Sequence, residues 1–573
     1  MHRLQFLSCL WLIGLGLPLS ETAAQPTPSR VDGWLRAMTV RQKAAQLIMP
    51  WVTGAWAAWD DSTLASTVRL VDSLGVGGVV ISIGTPGDVV LKLNHLQRQA
   101  RIPLLVAADF EYGTAFRLAG GTGFPTNMGV GASGSEADAY AMGRILAEEG
   151  RALGVHIGFT PVADINNNPD NPIINTRSFG GDPALVGRLV AAQIRGMQDH
   201  GMIATAKHFP GHGDTSTDSH IGLPVVTSDW TRLSQAELAP FRAAVAAGVG
   251  AVMSAHVALP AIDSGRIRPA TMVPEILTGI LRDSLGFHGL IVTDALDMGG
   301  VINGYGRDEA AVQALLAGAD VLLMPPDPVA AVEAIANAVG AGRVSEARLD
   351  ASVRRLLILK EQLGLFQRRT VDPERLGEVM ARRAFVEAAD SASTRSLVLL
   401  RDADGVISAL RAGPRQITLV SYGEANWATA GITLAGELRR QGHQVTGVRL
   451  SPASGPASYD SAARAMSPGG VTLVAASVRV ASGKGSVVMP DPLAALISHA
   501  DQTGPTLLIS LGSPYLIRQV PHVPGFLLGW TSTPSIERAV AAALGGAPIT
   551  GRLPVGIPPD WPIGAGLTVK ARP

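Results

Sequence analysis

This chain of 573 residues has one cysteine, few aromatic side chains and a formal net charge of zero. Its single cysteine is Cys9, so a chain that loses its first residues has no disulfide, no thiolate zinc site and no cysteine nucleophile. Lys plus Arg and Asp plus Glu both number 47, and this balance favours neither nucleic acid nor an anionic membrane as a partner. A neutral ligand held by hydrogen bonds and ring stacking, such as a carbohydrate, is compatible with it.

The chain also has few long apolar runs, and the clearest one is at its start. A weakly basic beginning precedes an uncharged, mostly apolar stretch over residues 6–19, and small residues follow up to Ala24. We predict a signal peptide over residues 1–24 and an exported chain, periplasmic or extracellular, with a retained membrane anchor as the alternative. Residues 243–261 are poor in charge, but their glycines and proline indicate a helix end and a strand. We therefore expect no membrane span in the mature chain.

Residues 30–366 alternate between short runs rich in Val, Ile and Leu and longer stretches with helical spacing. This alternation predicts βα units around a parallel sheet, and eight such runs fit a TIM-type (β/α)8 barrel, with one strand more or fewer still compatible. The runs are continuously apolar, as expected for strands that are covered on both faces. The predicted strands are residues 46–52, 77–83, 104–109, 156–163, 203–208, 251–256, 290–294 and 321–324.

A second βα pattern predicts a three-layer α/β sandwich over residues 395–573. Residues 367–394 are charged and contain Pro373, which is typical of a linker, here with a short helix. The predicted strands of the sandwich are residues 396–400, 417–421, 445–448, 472–475, 506–510 and 525–528.

Polar side chains follow several of the predicted barrel strands at their carboxyl ends. In a TIM-type barrel the active site is built from these ends, contributed by several strands at once. A single charged residue at a strand end is unremarkable, but this repetition is hard to explain by packing. The residues are Asp109, Glu111, Asp164, Lys207, His208, His256 and Asp294.

Titratable residues are most concentrated in the loop from Lys207 to His220. Its sequence is Lys-His-Phe-Pro-Gly-His-Gly-Asp-Thr-Ser-Thr-Asp-Ser-His. It holds three of the 12 histidines of the chain, and its proline and glycines disfavour regular structure. One interpretation is a zinc site, since imidazole and carboxylate groups are suitable ligands. Its ligands would be His208, His212, Asp214 and His220.

A second segment, Thr-Asp-Ala-Leu-Asp-Met, begins at Thr293 directly after a predicted strand. Its first carboxylate, Asp294, would be held rigidly at the barrel mouth, where it can attack the anomeric carbon of a sugar as retaining glycosidases do. The alternative for Asp294 is a helix N-cap, a position that Asp favours.

Together the two segments resemble glycoside hydrolase family 3, and specifically its β-N-acetylglucosaminidase branch. The resemblance covers most of residues 30–365, and the C-terminal region is similar to the sandwich of larger members. It implies that Asp294 is the nucleophile and His220 the general acid/base, with Asp218 orienting the imidazole. A histidine titrates near neutrality and can serve both proton transfers, and a neighbouring carboxylate stabilises its charged form.

The resemblance also implies a set of substrate-binding residues and neither a cofactor nor a metal. His212 and Asp214 then shape the loop. Where many relatives have Glu-Gly-Gly, this chain has Tyr112 in the middle position, and its ring would stack on a sugar or narrow the pocket. The alternative for each arginine of the set is a surface salt bridge. The substrate-binding residues are Asp109, Arg117, Arg177, Lys207 and His208.

The expected function is release of terminal GlcNAc from peptidoglycan fragments or chitooligosaccharides by an exported retaining β-N-acetylglucosaminidase. A β-glucosidase or β-xylosidase of the same family is one alternative, and the Asp-Ser-His sequence argues against it. A phosphorylase is another, because a neutral acid/base would admit an anionic phosphate. A non-catalytic protein that binds cell-wall glycan is the third.

Overall fold

The computed structural model describes residues 30–424, 429–467 and 469–572. The predicted signal peptide and Cys9 lie outside these residues. Within the described ranges, no helix combines the length and the apolar character that a membrane crossing needs.

The N-terminal domain is a closed parallel barrel with eight strand positions. Its strands are β1 (Ile48–Met49), β2 (Trp51–Thr53), β3 (Gly78–Ser82), β4 (Leu105–Ala108), β5 (Ile157–Gly158), β6 (Ile203–Phe209), β7 (Ala251–Ser254), β8 (Leu290–Thr293) and β9 (Leu322–Leu323). Pro50 divides the first position into β1, which pairs with β9, and β2, which pairs with β3. Seven consecutive strands, β2 to β8, form one sheet, and a bridge between Val292 and Val321 joins β8 to the segment of β9 and closes the barrel.

Helices surround this barrel and bury the outer face of its strands. Several begin at a proline that follows a capping side chain, and the capping residues Thr85, Asp182 and Asp327 are examples. The α-helices are α1 (Arg30–Ala37), α2 (Val40–Gln46), α3 (Ser62–Arg69), α4 (Pro86–Gln99), α5 (Asn127–Ser133), α6 (Glu136–Ala152), α7 (Pro183–Gln198), α8 (Trp230–Gln235), α9 (Ala239–Ala246), α10 (Gly299–Ile302), α11 (Glu309–Ala317), α12 (Pro328–Gly340), α13 (Glu346–Gln362), α14 (Leu376–Val379) and α15 (Arg383–Ser396). Segments Leu70–Leu74 and Glu275–Ser284 are π-helical, and Thr114–Phe116, Asn175–Arg177, Ala270–Met272 and Pro373–Arg375 form 3₁₀ turns.

The C-terminal domain is a six-stranded sheet with helices on both faces. Its elements are β10 (Val398–Asp402), α16 (Val406–Ala412), β11 (Gln416–Gly423), α17 (Ile432–Arg440), β12 (Gln444–Leu450), α18 (Pro456–Ala465), β13 (Val471–Ser477), α19 (Asp491–Thr503), β14 (Thr506–Ser510), β15 (Gly525–Leu528) and α20 (Pro534–Gly545), with a 3₁₀ turn at Pro514–Gln519. The strand order is β10-β15-β14-β13-β11-β12, and only β10 is antiparallel to its neighbour. An apolar core lies between each face of the sheet and the helices that cover it, so the domain has three layers. The predicted fold class, a barrel followed by an α/β sandwich, is therefore confirmed.

The connection between the domains contains a short helix, α14, as predicted. It ends in α15, a helix of 14 residues that includes Ser396, so β10 begins later than predicted. The helix is long because its apolar residues recur at helical spacing and pack against the barrel. Three of them, Phe385, Ala389 and Ala392, belong to the barrel core. The indole N–H of Trp530, in the second domain, donates to the carbonyl of Ser396 at 2.7 Å. The connector thus packs against both domains.

Candidate active site

The carboxyl ends of the barrel strands surround a cavity of about 890 Å³. Seven of the eight residues predicted for the site line this cavity, and the eighth, Asp218, lies buried behind His220. The structure therefore brings the whole predicted set together. The seven are Asp109, Arg117, Arg177, Lys207, His208, His220 and Asp294.

Asp294 directly follows β8, and its carboxylate is fixed by local contacts. Its Oδ1 accepts a hydrogen bond of 2.8 Å from the Ala295 N–H. The ring of His256 donates from Nε2 to the Ala295 carbonyl at 2.9 Å, so Ala295 is held at both its N–H and its carbonyl. Burial alone would raise the pKa of Asp294, but His208, His256 and the Ala295 N–H outweigh burial and lower it to about 2. The side chain is therefore an ionised, oriented carboxylate at the cavity wall.

His220 forms a tight pair with Asp218. The Nδ1 atom of His220 lies 2.8 Å from Oδ1 of Asp218, and the backbone N–H of His220 donates to the same oxygen at 2.9 Å. The other oxygen of Asp218 accepts from the backbone N–H of Gly483 at 2.8 Å. Burial raises the pKa of Asp218, but these hydrogen bonds outweigh burial and hold it below its ordinary value. Since Asp218 engages Nδ1, Nε2 is the ring nitrogen available to a bound substrate.

Backbone contacts join the His220 loop to the Asp294 loop. The N–H of Gly299 donates to the His220 carbonyl at 3.2 Å, and the N–H of Gly300 donates to the Ser219 carbonyl at 3.0 Å. A Cβ atom at Gly299 would lie 2.8 Å from the His220 oxygen, so this approach requires glycine. Because of these contacts, the two candidate catalytic groups belong to one rigid assembly.

A buried network of two carboxylates and two cations forms the floor of the cavity. The Nζ atom of Lys207 lies 2.7 Å from Asp109 and 3.0 Å from Glu111. The guanidinium of Arg177 donates to Glu111 from Nε and from Nη2, the latter at 2.7 Å. Burial alone would raise the pKa of Glu111, but these two cations outweigh it and keep that pKa well below its ordinary value. Arg117 is more exposed and lies 3.6 Å from Asp109.

Glu111 was noted at a strand end but not assigned to the site, although it binds two of the predicted residues. We predict that Glu111→Gln destabilises the protein by about 3–5 kcal/mol, because two buried cations lose their shared counter-charge. Thermal denaturation would measure the loss. The matched control is Glu333→Gln, which breaks a half-exposed pair with Arg41 and should cost under about 1 kcal/mol. Equal effects of the two substitutions would contradict the assignment.

A second buried carboxylate, Asp164, organises the histidines of the loop. It lies 2.7 Å from Nδ1 of His208 and accepts from the backbone N–H of His212 at 2.7 Å. The ring of His212 lies 2.9 Å from both Thr215 Oγ1 and Ser219 Oγ, and burial lowers its pKa to about 4. His212 is therefore neutral near pH 7 and shapes the loop.

The four candidate zinc ligands do not converge on a common point. No group of three or more His, Cys, Asp or Glu side chains in the described ranges has a geometry that could hold a metal ion. His208 and His220 pair with separate aspartates, and Asp214 forms an ion pair of 3.0 Å with Arg232. The loop geometry thus favours hydrogen bonding over zinc binding.

The C-terminal domain also contributes to the cavity, through a loop that follows β13. Residues 479–482 line the cavity, and Arg479 donates from Nη2 to the hydroxyl of Tyr112. The ring of Tyr112 is only 3% exposed and packs against Phe116 at 4.8 Å between centroids. Tyr112 therefore fixes a residue of the second domain, and its buried ring does not offer the face that stacking on a sugar would need.

A fixed carboxylate and a carboxylate-oriented histidine at one barrel mouth can serve as the nucleophile and the acid/base of an enzyme that cleaves glycosidic bonds, although most such enzymes use a second carboxylate in place of the histidine. The model of the glycosyl hydrolase family 3 N-terminal domain matches residues 39–359. The chain belongs to glycoside hydrolase family 3.

Known proteins are similar to this chain over both of its domains. A protein of Cellulomonas fimi described as a beta-N-acetylglucosaminidase/beta-glucosidase is 30% identical, over 85% of this chain and 89% of the relative. The structure of a family 3 beta-N-acetylglucosaminidase from Paenibacillus sp. str. FPU-7 has a TM-score of 0.80 and 34% identity, and the match covers 91% of this chain and 99% of that one. A beta-glucoside phosphorylase has a TM-score of 0.82 at 26% identity, with 92% and 95% covered.

Proposed function

We propose that this chain is an exported retaining β-N-acetylglucosaminidase that releases terminal GlcNAc from peptidoglycan fragments or chitooligosaccharides. One observation carries the proposal: the Asp218–His220 pair is hydrogen-bonded to the loop of Asp294, and His220 and Asp294 line one cavity. The names of the Cellulomonas and Paenibacillus relatives support GlcNAc as the sugar.

In the first step of the proposed mechanism, a carboxylate oxygen of Asp294 attacks the anomeric carbon and the glycosidic C–O bond breaks. Protonated His220 gives its Nε2 proton to the departing oxygen, so the aglycone leaves as an alcohol. Asp218 stabilises the charged imidazole and holds its orientation. The product is a covalent glycosyl-Asp294 ester and a neutral His220.

In the second step, a water molecule attacks the anomeric carbon and the ester C–O bond to Asp294 breaks. His220 now accepts the proton of the water through Nε2, which restores the starting state of the pair. Two displacements at the same carbon retain the configuration. Asp109, Lys207 and Arg177 hold the hydroxyls of the sugar by charge-assisted hydrogen bonds, with Arg117 and His208 beside them.

Phosphorolysis is the second candidate function. A neutral imidazole does not repel an anionic phosphate as a second carboxylate would, so phosphate could replace water in the second step. The likeness to a beta-glucoside phosphorylase supports this alternative. It predicts a sugar 1-phosphate as the product.

A screen of aryl β-glycosides of GlcNAc, glucose and xylose, each with and without inorganic phosphate, tests the proposal. We expect hydrolysis of the GlcNAc substrate, free GlcNAc as product and no acceleration by phosphate. Preferred cleavage of the glucoside or xyloside would identify the other family activities, and sugar 1-phosphate would identify a phosphorylase. Binding of GlcNAc oligomers without turnover of any substrate would identify the chain as a non-catalytic glycan-binding protein.

A further inference from the structure

The loop of residues 478–490, between β13 and α19, belongs to the second domain but reaches the cavity of the barrel. We call it the sandwich loop. At its start, the Ser513 N–H donates to the Val478 carbonyl at 3.1 Å. Near its end, the Met489 N–H donates to Oε1 of Gln519 at 2.7 Å. The sandwich therefore fixes both ends of the loop, and the contacts made between these ends determine where the middle of the loop lies.

The middle of the sandwich loop is a turn that presents one backbone N–H to the Asp218–His220 pair. The Lys484 N–H donates to the Ala481 carbonyl at 3.1 Å, which closes the turn. Gly483 lies within the turn at a φ of 77°, in the left-handed region that favours glycine. Its N–H donates to Oδ2 of Asp218 at 2.8 Å. The position of the turn therefore determines whether Asp218 receives this hydrogen bond.

The ammonium group of Lys484 ties this turn to two other parts of the second domain. It forms an ion pair with Glu424, which directly follows β11, the strand beside β13 in the sheet. It also donates to the Arg479 carbonyl at 3.3 Å, on the preceding part of the sandwich loop. The side chains of Lys484 and Glu424 are 28% and 24% exposed, so water screens their attraction less than that of a fully exposed pair. Lys484 thus links the turn to the edge of the sheet.

The sandwich loop and Glu424 also contact the site directly. Residues 479–482 and Glu424 line the cavity, whereas Lys484 is outside the lining set. Arg479 donates to the Tyr112 hydroxyl, which joins the start of the loop to the barrel. A Cβ atom at Gly485 would lie 3.7 Å from Cδ1 of Ile221, the residue that follows His220. The loop therefore lies against the catalytic histidine segment on both sides of Lys484.

We propose that Lys484 is a positioning residue for the acid/base. Its ion pair with Glu424 holds the turn in place. The Gly483 N–H then restrains the Asp218 carboxylate, and the carboxylate restrains the ring of His220. This inference rests on the proposed function, because it requires that the histidine transfers the proton. Loss of the ion pair should therefore weaken proton transfer to the leaving group and leave the attack of the nucleophile almost unchanged.

The test uses aryl GlcNAc substrates of similar size, from phenyl to dinitrophenyl, whose leaving groups need progressively less protonation. For Lys484→Gln in the full chain, we expect kcat/KM to fall about three- to fivefold on the phenyl substrate, the scale of one partly sheltered ion pair, and hardly at all on the dinitrophenyl substrate. Lys484→Arg keeps the cation and should retain most of the rate. The matched control is Arg538→Gln, which breaks a pair with Asp390 of similar exposure, 34% and 35%, and should leave the whole series unchanged.

A double-variant comparison isolates the ion pair. If Lys484 acts through Glu424, the variant Lys484→Gln/Glu424→Gln should lose no more activity than Lys484→Gln alone. Hydrogen exchange should show faster deuterium uptake in residues 478–490 of Lys484→Gln, because the turn is held less firmly. Additive losses, equal losses along the substrate series, or an unchanged series would overturn the inference. Failure of the unaltered chain to cleave any GlcNAc substrate, or a loss in His220→Ala that does not depend on the leaving group, would instead contradict the proposed function.

Discussion

Replacing Asp294 by Asn should reduce turnover of an aryl GlcNAc substrate by about 10⁴-fold or more, the scale of losses when a catalytic nucleophile is removed. The amide keeps the size of the side chain but cannot form the glycosyl ester. It also removes the negative charge that the lowered pKa of Asp294, about 2, maintains throughout the working pH range. Steady-state kinetics on purified full chain would measure the loss.

A mechanism-based fluorosugar gives an independent readout, because it traps the ester on the attacking residue. Mass spectrometry should find the label on the peptide that contains Asp294. The matched control is Asp297→Asn, which alters an exposed carboxylate three residues further along the same segment. That variant should keep most of the activity and still take the label at Asp294. A label on any other residue would refute the nucleophile assignment.

The barrel and the sandwich were predictable because their strands are continuous apolar runs between helical stretches. Every predicted strand overlaps an observed one, and the errors lie at the ends. Of the predicted strand over residues 156–163, only Ile157–Gly158 forms a regular strand. Pro161 has no N–H with which to continue the hydrogen bonding to the neighbouring strand. Ser396 belongs to α15 because the helix has apolar surfaces to cover on both domains, which local sequence does not reveal.

The candidate site was predictable where its titratable residues lie close together in sequence, as they do in the loop from Lys207 to His220. Glu111 and Asp164 were recognisable only as polar strand ends, since their partners lie on other strands. The contributions of the second domain had no local signal. Arg479 lies 367 residues from Tyr112 in sequence, and Gly483 lies 265 residues from Asp218. Such pairings depend on how the domains pack, and no spacing within either motif predicts them.

One of these distant contacts restrains the Asp218–His220 pair. Asp218 is held by two independent groups, the His220 loop on one oxygen and the Gly483 N–H on the other. Rotation of the carboxylate would break both hydrogen bonds, so the second domain restrains the orientation of the imidazole through it. The sandwich therefore does more than stabilise the barrel, because it helps to order the loop that carries Asp218 and His220.

Replacing His220 by Ala should produce a loss that depends on the leaving group. For chitobiose, whose departing alcohol needs a proton, we expect kcat/KM to fall by about 10²–10⁴-fold, the usual contribution of general acid catalysis. For a dinitrophenyl GlcNAc substrate the first step needs little protonation, so its rate should fall far less. Stopped-flow kinetics with this substrate should show a burst of phenolate, because the ester on Asp294 then forms faster than water, without its general base, can cleave it.

The matched control for His220→Ala is Asp218→Asn, which leaves the imidazole in place. The amide still accepts a hydrogen bond through its oxygen, but its NH₂ group cannot accept the Gly483 N–H, and the charge that stabilises imidazolium is gone. We therefore expect a smaller loss than for His220→Ala, with the same dependence on the leaving group. Equal losses on chitobiose and on the dinitrophenyl substrate in both variants would assign the pair a structural role, because misplacing the loop would impair both substrates alike.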